Sequence, residues 1–198
     1  MSRVIDRGAV FAGWVGMAMA AVIVVSFLLV IPIEPVIWFM SPFAGILMGY
    51  YANARSERRA GPWVRILANA AYAGAVTALT LTLLLLGTKA IFFVADSGYR
   101  DVSLGGTVDC TGGADCVYRR YLGEPDGPAR LEAQGVTDVA SFTRFYWEQQ
   151  LGTAATVLVV TFAGSLAGGL LYGVLRPRPR PTDAVGTPSR PAGDPPSA

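Results

Sequence analysis

Polar residues in this chain come in clumps, and the stretches between the clumps are long, apolar and free of charge. Residues 8–31, 66–88 and 151–175 contain no Asp, Glu, Lys or Arg. A helix needs about 20 apolar residues to cross the hydrocarbon core of a bilayer, and a charge near its centre is expensive. Three transmembrane helices are therefore predicted. The first holds eleven Leu, Ile, Val or Phe residues between Phe11 and Ile31, worth about −3 to −6 kcal/mol on the insertion scale. Its apolar run passes well beyond the Ala18-x-Ala20 pattern that resembles a cleavage site, so an uncleaved first helix is expected.

A fourth stretch, 36–53, is weaker. It has six such apolar residues and carries Pro42 inside it. Proline removes one internal hydrogen bond, so a kink near Ser41-Pro42 is expected. A re-entrant segment is the alternative, and it would change the side of everything that follows. A kinked span is the preferred reading.

Between the third and fourth spans lies the one sizeable polar segment, 96–150. Short β-type pieces broken by glycine run through Gly98 to Asp109, and Cys116–Leu122 is read as pairing back to make a small hairpin. Gly123-Glu-Pro-Asp-Gly-Pro is a turn. From Thr137 the period becomes helical, with Val139, Phe142, Phe145 and Tyr146 on one face and Thr137 or Asp138 as N-cap. That helix is expected to run on into the fourth span.

The predicted fold is an all-α membrane protein. It is a compact four-helix transmembrane bundle with a small disulfide-pinned extracytoplasmic segment, a short β-hairpin plus an amphipathic helix, between helices 3 and 4. In order, residues 1–95 hold three spans (8–31, 36–53, 66–88), 96–150 the outer segment and 151–175 the fourth span. Residues 176–198 form a disordered Pro/Arg-rich cytoplasmic tail, too polar and proline-rich to bury a core.

Composition agrees with lipid as the solvent. Apolar residues make up 53% and charged residues 15% of the chain, against about a quarter charged in soluble domains. Orientation follows from arginine. The segments 1–7, 54–65 and 176–198 hold ten basic and four acidic residues, whereas 96–150 holds five basic and nine acidic, a net −4. Cytoplasmic loops carry the excess Lys and Arg, so both termini are expected in the cytoplasm of a cell whose plasma or inner membrane holds the protein. The inner arginines would attract anionic lipid headgroups.

Cysteine adds an independent argument. Cys110 and Cys116 bracket Thr-Gly-Gly-Ala-Asp, a loop that closes easily. A disulfide there constrains the unfolded chain by about 2.4 kcal/mol in the loop-entropy account and requires an oxidising compartment. Two sulfurs with no further Cys or His make a poor metal site.

Helices in lipid associate through close backbone approach, which small residues four apart permit. Gly16 lies between Ala12 and Ala20, and Gly45 and Gly49 between Ser41 and Asn53. Gly74 sits between Ala70 and Ala78, and Gly169 and Gly173 follow Thr161 and Ser165, with Gly164 and Gly168 alongside. These glycines are read as packing positions within one molecule.

The chemistry is thin. No histidine occurs, which excludes histidine-ligated haem, Ser-His-Asp hydrolysis and His-zinc sites. No phosphate-binding glycine loop or catalytic constellation is present, so neither a cofactor nor an enzymatic activity is expected. Glu34, Asn69 and Lys89 are the polar or ionisable groups nearest the spans, where function is usually sought. Glu34 and Lys89 lie where a charge can reach the headgroups, and Asn69 suits an interhelical hydrogen bond. The leading expectation is a non-enzymatic accessory or scaffold subunit. It would present its acidic outer segment to another membrane or extracytoplasmic protein, with no role for nucleic acid. The alternative is a small transporter or channel component with Glu34, Asn69 and Lys89 around a path.

Overall fold

The computed structural model describes residues 5–29, 34–56, 61–95, 98–99, 108–110 and 112–176. The turn around Pro32 and the predicted tail beyond Arg176 lie outside the described residues. Four long helices, α1 (Arg7–Leu29), α2 (Glu34–Ala54), α3 (Trp63–Ala95) and α6 (Val139–Leu175), pack side by side. Two short ones, α4 (Ala114–Gly123) and α5 (Gly127–Ala133), sit at one end. By length and composition α1, α3 and α6 are able to cross a membrane.

Over their uncharged stretches the long helices are apolar all round, so it is side-chain size that distinguishes their faces there. Their outward side chains are large: Trp14, Val22, Leu83, Val94 and Val174 are 64–74% exposed. In water such a surface would be untenable, whereas against lipid tails it costs nothing. Most of the inward positions midway along the long helices are small or hydroxylated, with larger side chains such as Leu81 and Val157 among them. On α3 the buried stripe runs Ala70, Ala73, Gly74, Thr77, Ala78 and Leu81. On α6 it continues from Phe142 to Gly173.

Three buried hydroxyls are satisfied on their own helix, whereas the buried Thr82 hydroxyl of α3 has no hydrogen-bond partner among the described residues. Thr77 donates to the Ala73 carbonyl at 2.8 Å, Thr161 to Val157 at 2.7 Å and Ser41 to Ile37 at 2.7 Å. Such back-bonding lets a polar side chain lie in an apolar environment without an unpaired donor. Ser165 differs, because its Oγ crosses to the Ala70 carbonyl of α3 at 2.7 Å.

Two buried layers fix how the helices run. At one end Ala9 and Ala12 of α1 meet Ala52 of α2 and Ala73 of α3. At the other, Ala20 and Val24 of α1 meet Ile37 of α2, Leu81 and Leu85 of α3 and Val157 of α6. Thus α1 and α2 are antiparallel, and α2 follows α1 and α3 between the same two layers. We call the first layer the basic end, after Arg7, Arg55, Arg65 and Arg176. The second lies beneath the cap formed by α4, α5 and the start of α6.

The cap corrects one expectation. Cys116–Leu122 is helix α4, not the second strand of a hairpin. Its Val and Tyr residues suit either structure, but Val117, Tyr118 and Tyr121 share a helical face that packs on the buried Phe142. Asp115 and Arg119 add a salt bridge one turn apart at 2.8 Å. Among the described residues strand lies earlier, where β1 (Gly98–Tyr99) pairs antiparallel with β2 (Val108–Asp109) over two residues each.

Cys110 and Cys116 are disulfide-bonded with Cα atoms 5.4 Å apart. The loop reaches this geometry through Gly112 and Gly113, with φ of 86° and 83°, which a side chain would resist. Cys116 then falls in the first turn of α4, fully buried. Helix α6 is uninterrupted from the cap to the basic end. Asp138 caps it, accepting from the Ser141 N–H at 2.7 Å, while the Ser141 hydroxyl accepts from the Asp138 N–H.

Candidate functional site

Each of the eight glycines singled out above faces a neighbouring helix too closely for a side chain. A Cβ on Gly45 would strike the Thr161 carbonyl, one on Gly49 the Ser165 carbonyl and one on Gly74 the Ser165 side chain. From the other side, Gly164 meets the Pro42 carbonyl and Gly168 the Ile46 carbonyl. Gly16 abuts Thr77, Gly169 abuts Ala70 and Gly173 abuts the Trp63 ring. Ser165 is thus enclosed where α2, α3 and α6 meet. At this level backbone lies directly on backbone.

The three polar candidates are not brought together. Asn69 and Lys89 are twenty residues apart on α3, about 30 Å along the axis, and the buried stripe of Ala73, Gly74, Thr77 and Leu81 lies between them. Glu34 opens α2, and its side chain lies outside the described residues.

Asn69 belongs to a polar network that closes the basic end. Its Oδ1 accepts from the Asp6 N–H at 3.1 Å, and its Nδ2 reaches the Asp6 carboxylate at 3.4 Å and Asn53 Oδ1 at 3.5 Å. Asn53 in turn donates to the carbonyls of Gly49 at 3.0 Å and Ile66 at 3.1 Å. Ser56 donates to the Asp6 carboxylate. Asn53 and Asn69 are each 1% exposed, so their amides depend on these partners. The network ties the start of α1 to the end of α2 and the start of α3. Arg176 closes the remaining side: it donates to the Gly61 carbonyl at 2.7 Å and lies over the Trp63 ring.

Lys89 belongs to a different place, a cleft between the cap and the ends of the long helices. Two adjoining cavities form it, of about 860 Å³ and 240 Å³, and Lys89, Tyr121 and Gln149 line both. The upper cavity adds Arg120 of α4 and Arg130 of α5. The lower is walled by Ile37 and Trp38 of α2 and Leu85 of α3, together with the polar Gln150 and Thr153 of α6. Arg130 is engaged by Glu124 at 2.6 Å, and the Arg120 guanidinium lies 5.5 Å from the Tyr121 ring.

Sequence reasoning reached Lys89 but not Arg120, Arg130 or Gln149, and it reached Asn69 but not its partners Asp6 and Ser56. A signal existed for the network, since Asp6, Asn53 and Asn69 all fall at the same end of consecutive spans. None existed for the cleft, whose residues come from five helices. Among the described residues, no group of three Cys, Asp or Glu side chains is placed to hold a metal ion. No family model, curated protein or solved structure matches this chain.

Proposed function

We propose that this protein is a non-enzymatic accessory or scaffold subunit of the cell membrane, with four spans and both termini cytoplasmic, whose outer cap is presented to a partner protein. One observation carries the reading: small side chains let the long helices pack backbone on backbone, while the exposed carboxylates among the described residues gather on the cap. Asp115, Asp126, Glu132, Asp138 and Glu148 are all exposed there, a surface suited to a basic partner.

Helix α2 is read as the fourth span because it joins the same two buried layers as α1 and α3. Its 21 residues reach about 31 Å, the thickness of the hydrocarbon core. Phe39, Phe43 and Leu47 face outward at 48–60% exposure, as lipid-facing side chains would. With α2 spanning, the basic end falls on the cytoplasmic side and the disulfide on the oxidising side, as the arginine bias requires. The transporter alternative gains no support, since Asn69 is consumed in a network and Lys89 lies at the other end of α3.

Affinity purification of the full chain in mild detergent tests the partner. Co-purification of a protein that is lost when Asp126 and Glu132 are both changed to Lys supports the reading. Recovery as a lone monomer in every mild detergent would overturn it. The topology is tested separately, by labelling single cysteines placed at Arg55 and Glu132 in a variant lacking the native pair. Labelling of only the Glu132 position from outside the cell is expected.

A further inference from the structure

Two arginines at the basic end lie against aromatic rings, and they differ in how their donors are used. Arg176 lies over the Trp63 ring and gives a guanidinium nitrogen to the Gly61 carbonyl, so it serves the fold. Arg55 is the first residue past α2. Its guanidinium lies 5.6 Å from the Phe11 ring of α1 and 5.8 Å from the Tyr51 ring of α2. Its Nε donates to the Tyr51 hydroxyl at 3.1 Å. Among the described residues no carboxylate pairs with it. The side chain is therefore held by its inner edge, while Nη1 and Nη2, the pair that grips an oxyanion end-on, have no partner among the described residues. An arginine already fixed in orientation loses less freedom when it takes a ligand.

The frame around Arg55 is stiff. A Cβ on Gly8 would strike the Arg55 carbonyl, so the start of α1 lies directly on this turn. The Phe11 and Tyr51 ring centroids are 6.4 Å apart, and Tyr51 packs on the buried layer of Ala9, Ala12, Ala52 and Ala73. Arg7, exposed on the residue before Gly8, brings a second guanidinium to the same rim. The neighbouring Asp6 carboxylate accepts from Ser56 and Asn69.

Depth identifies the anion. Helix α2 matches the hydrocarbon thickness, so the residue that follows it stands at the level of the lipid phosphates. Beneath Arg55 the outward side chains are apolar: Phe11 is exposed, and one turn deeper so are Trp14 of α1 and Leu47 of α2. An oxyanion above and hydrocarbon below describe a phospholipid.

We propose that Arg55, clamped by Phe11 and Tyr51, is the phosphate ligand of one anionic phospholipid seated against α1 and α2. This goes beyond the general attraction of a basic end for a negative leaflet, because a single headgroup is gripped by an oriented fork. The second charge of Arg7 favours a headgroup that carries no cation of its own. Such a lipid ties the first helix to the second at the membrane surface. The inference rests on α1 and α2 both spanning, not on the partner or on which side is cytoplasmic.

The test uses the purified full chain in detergent, with phosphatidylglycerol, phosphatidylcholine or inorganic phosphate added. Native mass spectrometry reads the retained lipid, and thermal unfolding reads the stabilisation. R55Q should bind phosphatidylglycerol about tenfold more weakly than the parent. R55K keeps the charge without the fork, and Y51F keeps it without the anchor for Nε, so each should weaken binding about threefold. R65Q removes the same charge elsewhere at the basic end and should stay within about twofold of the parent. Parent-like binding by both R55K and Y51F, or an R55Q no weaker than R65Q, would show diffuse charge alone and overturn the proposal. Equal retention of phosphatidylcholine, or equal stabilisation by inorganic phosphate, would overturn it too. If R55Q fails to fold, R55K and Y51F decide. Release of the protein from membranes by alkaline carbonate would overturn the spans and the site together, whereas retention beside parent-like variants overturns the site alone.

Discussion

At Asn69 a single amide holds two elements. Replacing it with Leu keeps the branching but adds bulk, and leaves the Asp6 N–H and carboxylate without their α3 partner at a half-buried site. A cost of about 1–3 kcal/mol is expected, seen as a lower melting temperature in detergent with no change in helix content. Gly45 gives the contrasting case, a residue important for what it lacks. Gly45→Leu drives a side chain into the Thr161 carbonyl, and overpacking of this kind costs about 3 kcal/mol. The monomer itself should lose stability. A variant that stays as stable as the parent and only changes its self-association would show that Gly45 faces another copy. Ser165 lies between these extremes, since both its hydroxyl and its small size are used.

At the scale of elements, α6 is held at its first turn by Asp138. The Ser141 backbone N–H, and then the Ser141 hydroxyl, hold the Asp138 carboxyl below its ordinary value of 3.8. Its capping contribution is therefore complete above that value and is lost as the pH falls through the lower, folded one. Asp138→Ala should speed hydrogen exchange over 139–146 at neutral pH, and the parent should approach the variant only in strong acid. The loop before α4 has a separate tether. Reducing Cys110–Cys116 should release roughly 2 kcal/mol of constraint. Limited proteolysis should then cut between residues 110 and 116, while the long helices keep their protection.

For the whole molecule, much of the architecture was legible because lipid writes it plainly. Missing charge marked α1, α3 and α6, and the four-residue spacing of Gly45, Gly49, Gly169 and Gly173 marked the faces that meet. Helix α4 was misread because Val117, Tyr118 and Tyr121 favour strand locally, and their helical face becomes decisive only once Phe142 lies opposite. The cleft was illegible for a related reason: Lys89, Arg120 and Gln149 are distant in sequence and meet only through the docking of the cap. Short-range pattern reports the partners that a segment prefers. It does not report which partners it finds.

The uninterrupted course of α6 has one further consequence. Its 37 residues make a rod of about 55 Å, nearly twice the depth of the oil it passes through. One end carries Phe142 and Tyr146 in the cap, and the other carries Gly173 and Arg176 against Trp63 and Gly61. No loop separates its two ends. Any load that reaches the cap is therefore passed along the same continuous helix to the tip beside the start of α3, so the two ends of the molecule share one part.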